Sequence, residues 1–490
     1  MSEQIRVEMD HGGKAVFVGT TYFHIARGQI STTFKYSDEY ARTRWAYSID
    51  PELPLSTAPF SVPGLPGAFA GCSRDRWGRN LVAKEHRRQV ADGVVRDRRL
   101  TDIDFLLGVS DRTRQGALRF RRAAGEDFLS PTNRVPKLLS LPELQRAADG
   151  AAEGSGAAVK RLLDAGTGSL GGARPKASVA DDERRLLIAK FSRPGDDRDV
   201  IAWESLALEL ARRAGIGTSE SRLLSIDGRS VLLLQRFDRT ADRRIGYMSA
   251  MTATGRRDGE AGDYLDVVEA IEDHSRRWRS DCAELFRRVA FSVALHNTDD
   301  HMRNHGFIRA DAGWQLSPAF DINPEPEPAV ERHTAINGVV SAEVEAEALL
   351  EFASLCHLTK PTAVTLLNEV VSAVEGWRSQ AVERGIRQAE ITEMGTVIDR
   401  SSPAWAKLSD WAAESRDIRS WLLRGLMRSP PLRKGHHCAL RTVWWVSRGE
   451  SRFWICTPPP GWSRVISRCP AGNEVHGTPF LPGLTRTNTV

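Results

Sequence analysis

Cysteine is scarce in this chain: six in 490 residues, at positions 72, 282, 356, 438, 456 and 469, with no two spaced C-x-x-C. That spacing excludes a disulfide scaffold, a zinc ribbon and a thioredoxin-type redox motif. It fits the reduced thiols of a cytoplasmic chain. Long apolar runs are missing too. The densest, Val231-Leu232-Leu233-Leu234, has the length of a strand, far short of the ~18–20 residues of a membrane span. The first ten residues carry Glu3, Glu8 and Asp10 and no apolar stretch, so they do not read as a secretory signal. No internal repeat is evident. A large charge of one sign is also absent: 68 Lys and Arg stand against 63 Asp and Glu. The small excess is local. Residues 428–490 hold nine basic residues and two acids, so residues 1–427 are slightly acidic. The chain therefore does not carry a basic footprint for nucleic acid in its main body, and no DNA-reading motif is recognisable.

What is present sorts into four stretches. Residues 1–122 open with strand-like runs, Val16–Gly19 and Ile30–Tyr36, rich in β-branched and aromatic residues. A Pro/Gly-rich passage and a charged helical segment from Arg76 follow. Residues 123–260 contain a helix predicted over Leu141–Ala148, with Ser140 and Glu143 in capping-box spacing. They also contain a buried strand at Leu186–Phe191, an amphipathic helix from Val200 to Ala214 ending at Gly215, and another strand at Ser230–Phe237. Residues 261–427 show helical periodicity over Cys282–His296, Val364–Val382 and Ala404–Leu426. Residues 428–490 form a basic tail rich in Trp, Cys and Pro, without a sustained period, expected not to fold as a cooperative domain.

Five motifs carry chemistry in a fixed order. Gly166-Thr167-Gly168-Ser169-Leu170-Gly171 is a G-x-G-x-x-G match; glycines let backbone N–H groups approach phosphates. No Gly-Lys-Ser/Thr follows, so it is not a Walker A loop. Lys190 ends a strand and is placed to meet α/β-phosphates, and Glu204 on the next helix is placed to hold it. Asp299 and Asn304 have the D-x-x-x-x-N spacing of a kinase catalytic loop, with the aspartate as base and the asparagine as metal ligand. Asp321, after an expected strand pair at 306–308 and 314–316, supplies a second oxygen ligand. Mg²⁺ accepts such a set with waters. Each signal alone is commonplace; the order is what carries weight.

These motifs resemble the HipA family of serine/threonine kinases, toxins of type II toxin–antitoxin modules, over roughly residues 15–425. The resemblance runs through Phe34-Lys35-Tyr36, Pro51–Leu55 and Arg76-Trp77-Gly78-Arg79. It continues through Gly168–Lys176, Arg236-Phe237-Asp238-Arg239, Asn297–Asn304 and Ser317–Asp321. It implies an α+β, protein-kinase-like two-lobed fold, with a β-rich N-lobe, an all-helical C-lobe and a small β-rich N-terminal domain. It implies ATP and Mg²⁺ as cofactors and a protein substrate, in known members an aminoacyl-tRNA synthetase. Position by position, Asp299 would be the catalytic base, and Asn304 and Asp321 the metal ligands. Gly168, Ser169, Gly171, Gly172, Lys176, Lys190 and Glu204 would surround the nucleotide. Ser169 would be the autophosphorylation position, and the adenine hinge would fall near Met248. The expected partner is a small helix-turn-helix antitoxin, through which alone DNA would be reached. The tail has no counterpart in that pattern and reads as an appendage or an out-of-frame extension.

Three other readings compete. His296, Asp299, Asp300, His301 and His305 are the donor types of a metal-dependent phosphohydrolase. An inactive pseudokinase acting as co-repressor with a DNA-binding antitoxin would keep the fold without the transfer. An aminoglycoside-type small-molecule kinase shares the loop logic.

Overall fold

The computed structural model describes residues 2–130, 135–166, 172, 174–240, 243–310 and 313–399, together with three strands further on. The chain divides into two units, Met1–Ile418 and Arg419–Val490.

The first unit begins with β1 (Ser2–His11), β2 (Lys14–Ala26) and β3 (Gln29–Tyr36). Alternating burial in the middle of β2 is what a sheet with one covered face demands. The short α1 (Asp38–Ala41) leads to β4 (Phe60–Pro63) and α2 (Gly67–Gly71). Next come α3 (Arg76–Ala91), capped by the Asp75 carboxylate on Gly78 N, α4 (Asp102–Leu107) and β5 (Leu118–Arg121). The strands form one antiparallel sheet in the order β4-β3-β2-β1-β5. Ile5, Val7, Phe34, Tyr36, Phe69 and Phe120 lie in its core.

Two helices follow, α5 (Leu141–Ala152) and α6 (Gly156–Asp164). The capping box expected at Ser140 does not form. A 3₁₀ turn over Leu138–Ser140 runs straight into α5, leaving Ser140 at ψ 1° with no side-chain cap bond. Then come β6 (Lys176–Ala180), β7 (Leu186–Phe191), α7 (Val200–Arg213), β8 (Ser221–Ile226) and β9 (Arg229–Gln235). The antiparallel sheet order is β6-β7-β9-β8. The helix α7 ends where Gly215, at φ +76°, turns the chain. The strand expected to reach Phe237 stops at Gln235 because Arg236 and Asp238 turn away to bond residues 113–116.

The remainder of the unit is mainly helical. In order it contains β10 (Tyr247–Ser249), α8 (Ala250–Ala253), β11 (Gly262–Asp263), α9 (Tyr264–His274) and α10 (Trp278–Ala294). It continues with β12 (Gly306–Ala310), β13 (Gly313–Leu316), β14 (Thr334–Ala335), α11 (Glu345–Leu355) and α12 (Lys360–Val374). It closes with α13 (Trp377–Glu383) and α14 (Gln388–Ile398). The pair β12–β13 is the hairpin the sequence called for, and β10 adds to it. The single helix expected over 364–382 is two, because Gly376 takes φ +77° between α12 and α13. The largest core runs from α7 through α9 and α10 to α14. Among the described residues, no helix is long and apolar enough to cross a membrane.

In the second unit the described residues are β15 (Thr442–Arg448), β16 (Ser451–Thr457) and β17 (Val465–Arg468), an antiparallel sheet in that order. Three strands of four to seven residues are too short to show a sustained period in the sequence. The helix expected over 404–426 lies outside the described residues.

Candidate active site

The loop that follows α10 turns at His296, whose φ is +52°. Its carbonyls are pinned from below. Ser292 Oγ donates to Asn297 O at 2.9 Å and Arg332 Nη1 donates to the same oxygen at 3.2 Å. Arg332 is itself held by Glu345 at 2.6 Å. The buried Asp300 accepts from Tyr264 Oη at 2.6 Å and lies 3.0 Å from His305 Nε2. Burial would push its carboxyl up, yet His305 and Tyr264 hold it below the usual carboxylate range. Asp299, next to this anchor, points the other way: its side chain is 73% exposed, 3.5 Å from His333 Nε2. Asn304 is buried and its Nδ2 donates to Asp299 O at 3.2 Å. The two D-x-x-x-x-N residues are therefore tied to one another, the aspartate free to meet solvent and the asparagine facing inward.

Lys190, on β7, is held between two carboxylates: Glu204 Oε1 at 2.6 Å and Asp321 Oδ1 at 2.7 Å. Burial works against the ammonium, but Asp321 and Glu204 more than offset it, so Lys190 titrates above the ordinary lysine range. Asp321 is held well below the carboxylate range by Lys190 and then Lys176, despite its partial burial. Glu204 is the deeper acid, 2% exposed, and burial raises it. Asp321 has φ +59°, a conformation that costs an L-residue energy and that clusters at functional sites.

Gly172 brings the glycine-rich segment to this point. A Cβ there would stand 2.7 Å from Lys176 Nζ and 3.5 Å from Asp321 Oδ2, at φ +79°. Lys176 pairs with Lys190 across β6–β7. The structure thus gathers Gly172, Lys176, Lys190, Glu204 and Asp321 at one place. Gly168, Ser169 and Gly171 lie outside the described residues. Met248 is 3% exposed, paired with Phe307 and part of the core of the helical region. The lobe sheet ends at Gln235, and Phe237 then packs on Phe320 and Tyr247 at centroid distances of 5.5 and 5.8 Å. Sequence reasoning also missed Asp75, 3.9 Å from Lys176 Nζ; its one signal was its position ahead of a helix.

Asp321, ionised, and the Asn304 amide oxygen are donors of the kind Mg²⁺ takes. Among the described residues no group of three or more His, Cys, Asp and Glu is placed to hold a metal. Within the His/Asp run read as a phosphohydrolase centre, Asp300 accepts from Tyr264 Oη and lies 3.0 Å from His305 Nε2, and His296 Nε2 meets Glu327 O at 3.1 Å.

Comparison with known proteins bears on the same region. Residues 168–377 match the family model of the HipA-like C-terminal domain. The HipA-like region contains Lys190, Glu204, Asp299, Asn304 and Asp321 within its bounds. The chain is 25% identical over 168 residues to Toxin YjjJ of Escherichia coli, 32% of this chain and 38% of that protein. It is 26% identical over 146 residues to a Sinorhizobium fredii protein named "Putative kinase Y4mE", 28% of this chain and 33% of that one. These matches span well under half the length of either relative. In three dimensions the chain is similar to a chain from the HipA, HipB and operator DNA complex of the Shewanella oneidensis MR-1 toxin–antitoxin system. That match has a TM-score of 0.58 at 13% identity and covers 84% of this chain and 99% of that one. The likeness shows the fold: kinase-like and two-lobed, with a four-stranded sheet above a helical body and a small β-rich domain at the N-terminus.

Proposed function

We propose that this chain is an ATP- and Mg²⁺-dependent serine/threonine protein kinase, acting as the toxin of a toxin–antitoxin pair. The observation that carries the reading is Lys190 held between Glu204 and Asp321, with Asp299 exposed beside the buried Asn304. Phosphoryl transfer asks the protein for positioning and charge rather than covalent chemistry. Lys190 and Lys176 supply positive charge to the phosphates. Asp299 orients the incoming hydroxyl and accepts its proton. Asn304 and Asp321 would hold Mg²⁺, which when bound neutralises charge on the phosphate oxygens.

The substrate is proposed to be a protein hydroxyl, an aminoacyl-tRNA synthetase by family resemblance, with Ser169 as the site of self-modification. The partner is proposed to be a small helix-turn-helix antitoxin, with DNA reached only through it and the cytoplasm as the place of action. The names of the relatives support a kinase and a toxin, and the complex in which the structural neighbour was solved supports the antitoxin partner. Incubation with labelled ATP and Mg²⁺ tests the reading. Incorporation into the chain or a synthetase, lost in Asp299→Ala, is the expected result. Equal incorporation by the two proteins overturns it.

A further inference from the structure

Three successive residues of the loop after α10, Asn297, Thr298 and Asp299, are met in turn by a second segment, Arg332-His333. Arg332 Nη1 donates to Asn297 O at 3.2 Å, and His333 N donates to Thr298 O at 2.9 Å. The His333 ring then stands beside Asp299, with Nε2 3.5 Å from Oδ1. Among the described residues, this is the polar side chain that meets the Asp299 carboxylate.

The second segment is fixed on both sides of His333. Arg332 Nε donates to Glu345 Oε2 at 2.6 Å. Thr334 and Ala335, which form β14, pair with Gly262 and Asp263 of β11. Beyond them, Asn337 N and Gly338 N donate to the two oxygens of the Asp263 carboxylate, at 3.1 and 2.6 Å. Burial alternates as along a strand. Arg332, Thr334 and Ile336 are buried, whereas the His333 side chain is 64% exposed. The core does not need this ring, yet its backbone is held against the loop that carries Asp299.

An exposed carboxylate by itself changes rotamer on the picosecond to nanosecond scale. A base works best when a third group orients it. With Nε2 as the protonated ring nitrogen, His333 can donate to Asp299 Oδ1. The separation is longer than a formed hydrogen bond, as catalytic contacts often are before a substrate tightens them.

We propose that His333 is a positioning residue for Asp299. It holds Oδ1, so that Oδ2 faces the incoming hydroxyl and takes its proton as the hydroxyl oxygen bonds to the γ-phosphorus and ADP leaves. This deepens the kinase reading and rests on it. Full-length wild type, His333→Ala and His333→Gln are compared for the initial rate of label transfer from ATP to the chain itself, over a range of ATP concentrations with excess Mg²⁺. Calorimetric binding of the non-hydrolysable ATP analogue AMP-PNP and Tm are measured on the same proteins. His333→Ala is expected to lower kcat about ten- to a hundredfold, with KM for ATP, AMP-PNP affinity and Tm unchanged. His333→Gln keeps an amide donor of similar reach and is expected to recover most of that loss. Wild-type kcat in His333→Ala overturns the proposal. A loss that falls on KM, AMP-PNP binding or Tm marks a structural role and overturns it too, as does His333→Gln no faster than His333→Ala. If the wild-type chain transfers no label, the kinase reading itself falls, and this inference with it.

Discussion

Lys190 and Asp321 lie 131 positions apart in the chain and 2.7 Å apart in space. One comes from a strand of the small sheet and the other from the loop beyond the β12–β13 hairpin. Their contact joins the two lobes at the point where the glycine-rich segment arrives. It also makes one ammonium answerable to two acids, since Glu204 is 2.6 Å away.

Lys190→Met should abolish AMP-PNP binding and destabilise the fold by about 3–5 kcal/mol at pH 8, the range for breaking a buried pair from one side. Glu204, already raised by burial, would rise further. A raised acid stabilises below its unfolded pKa and loses that contribution as pH rises through the folded one. The variant's deficit should therefore shrink toward pH 5. Denaturant titrations at the two pH values check this; an equal deficit at both contradicts the assignment.

Gly172→Ala should be worse for binding than for folding. The left-handed backbone costs an alanine about 1–2 kcal/mol. Its methyl carbon would stand 2.7 Å from Lys176 Nζ, so the lysine has to move. Tenfold or greater weakening of AMP-PNP is expected alongside a modest drop in Tm.

Neighbouring acids in one loop should behave oppositely. Asp299 is 73% exposed, so Asp299→Asn is expected to change stability by no more than about 0.5 kcal/mol while eliminating phosphoryl transfer. Asp300 is buried against Tyr264 and His305; Asp300→Asn is expected to cost about 1–3 kcal/mol. Thermal melts paired with transfer assays separate them.

Asp50 gives the N-terminal domain a pH dependence of its own. It is 1% exposed, and burial raises its pKa to about 6 from 3.8, although Ala68 N and Glu52 N donate to it. The stabilising contribution of the protonated form is complete below about pH 4 and lost as pH rises through 6. It amounts to about 3 kcal/mol by linkage. Subtracting the stability curve of Asp50→Asn from that of wild type should show a decline between pH 4 and 8. A flat difference would refute it.

Local signals were legible where one residue type has one physical use. Leu186–Phe191 read as a short buried strand and is one, buried over Ala189–Phe191 and half-buried before it, and Gly215 follows the end of α7 because a left-handed turn favours glycine. The order of Lys190, Glu204, Asp299, Asn304 and Asp321 was readable for the same reason, as each is a distinct charge or ligand type at a characteristic interval. The Ser140 capping box was misread because its spacing was right while the preceding 3₁₀ turn took up the backbone the cap requires. The helix over 364–382 was drawn too long because apolar spacing continued across Gly376.

The sequence by itself determined the types of the strongly patterned elements such as β7 and α7, the near-neutral body with its basic tail, and most of the chemically able residues. Periodicity and side-chain chemistry are local properties. Only the tertiary structure decided which of those residues meet. Whether Asp321 faces Lys190, whether Tyr264 and His305 meet Asp300, and whether Asp75 lies near Lys176 depend on how sheets and helices from distant parts of the chain pack. Coulomb and hydrogen-bond forces act over a few ångströms of space, and no interval along the chain records that distance.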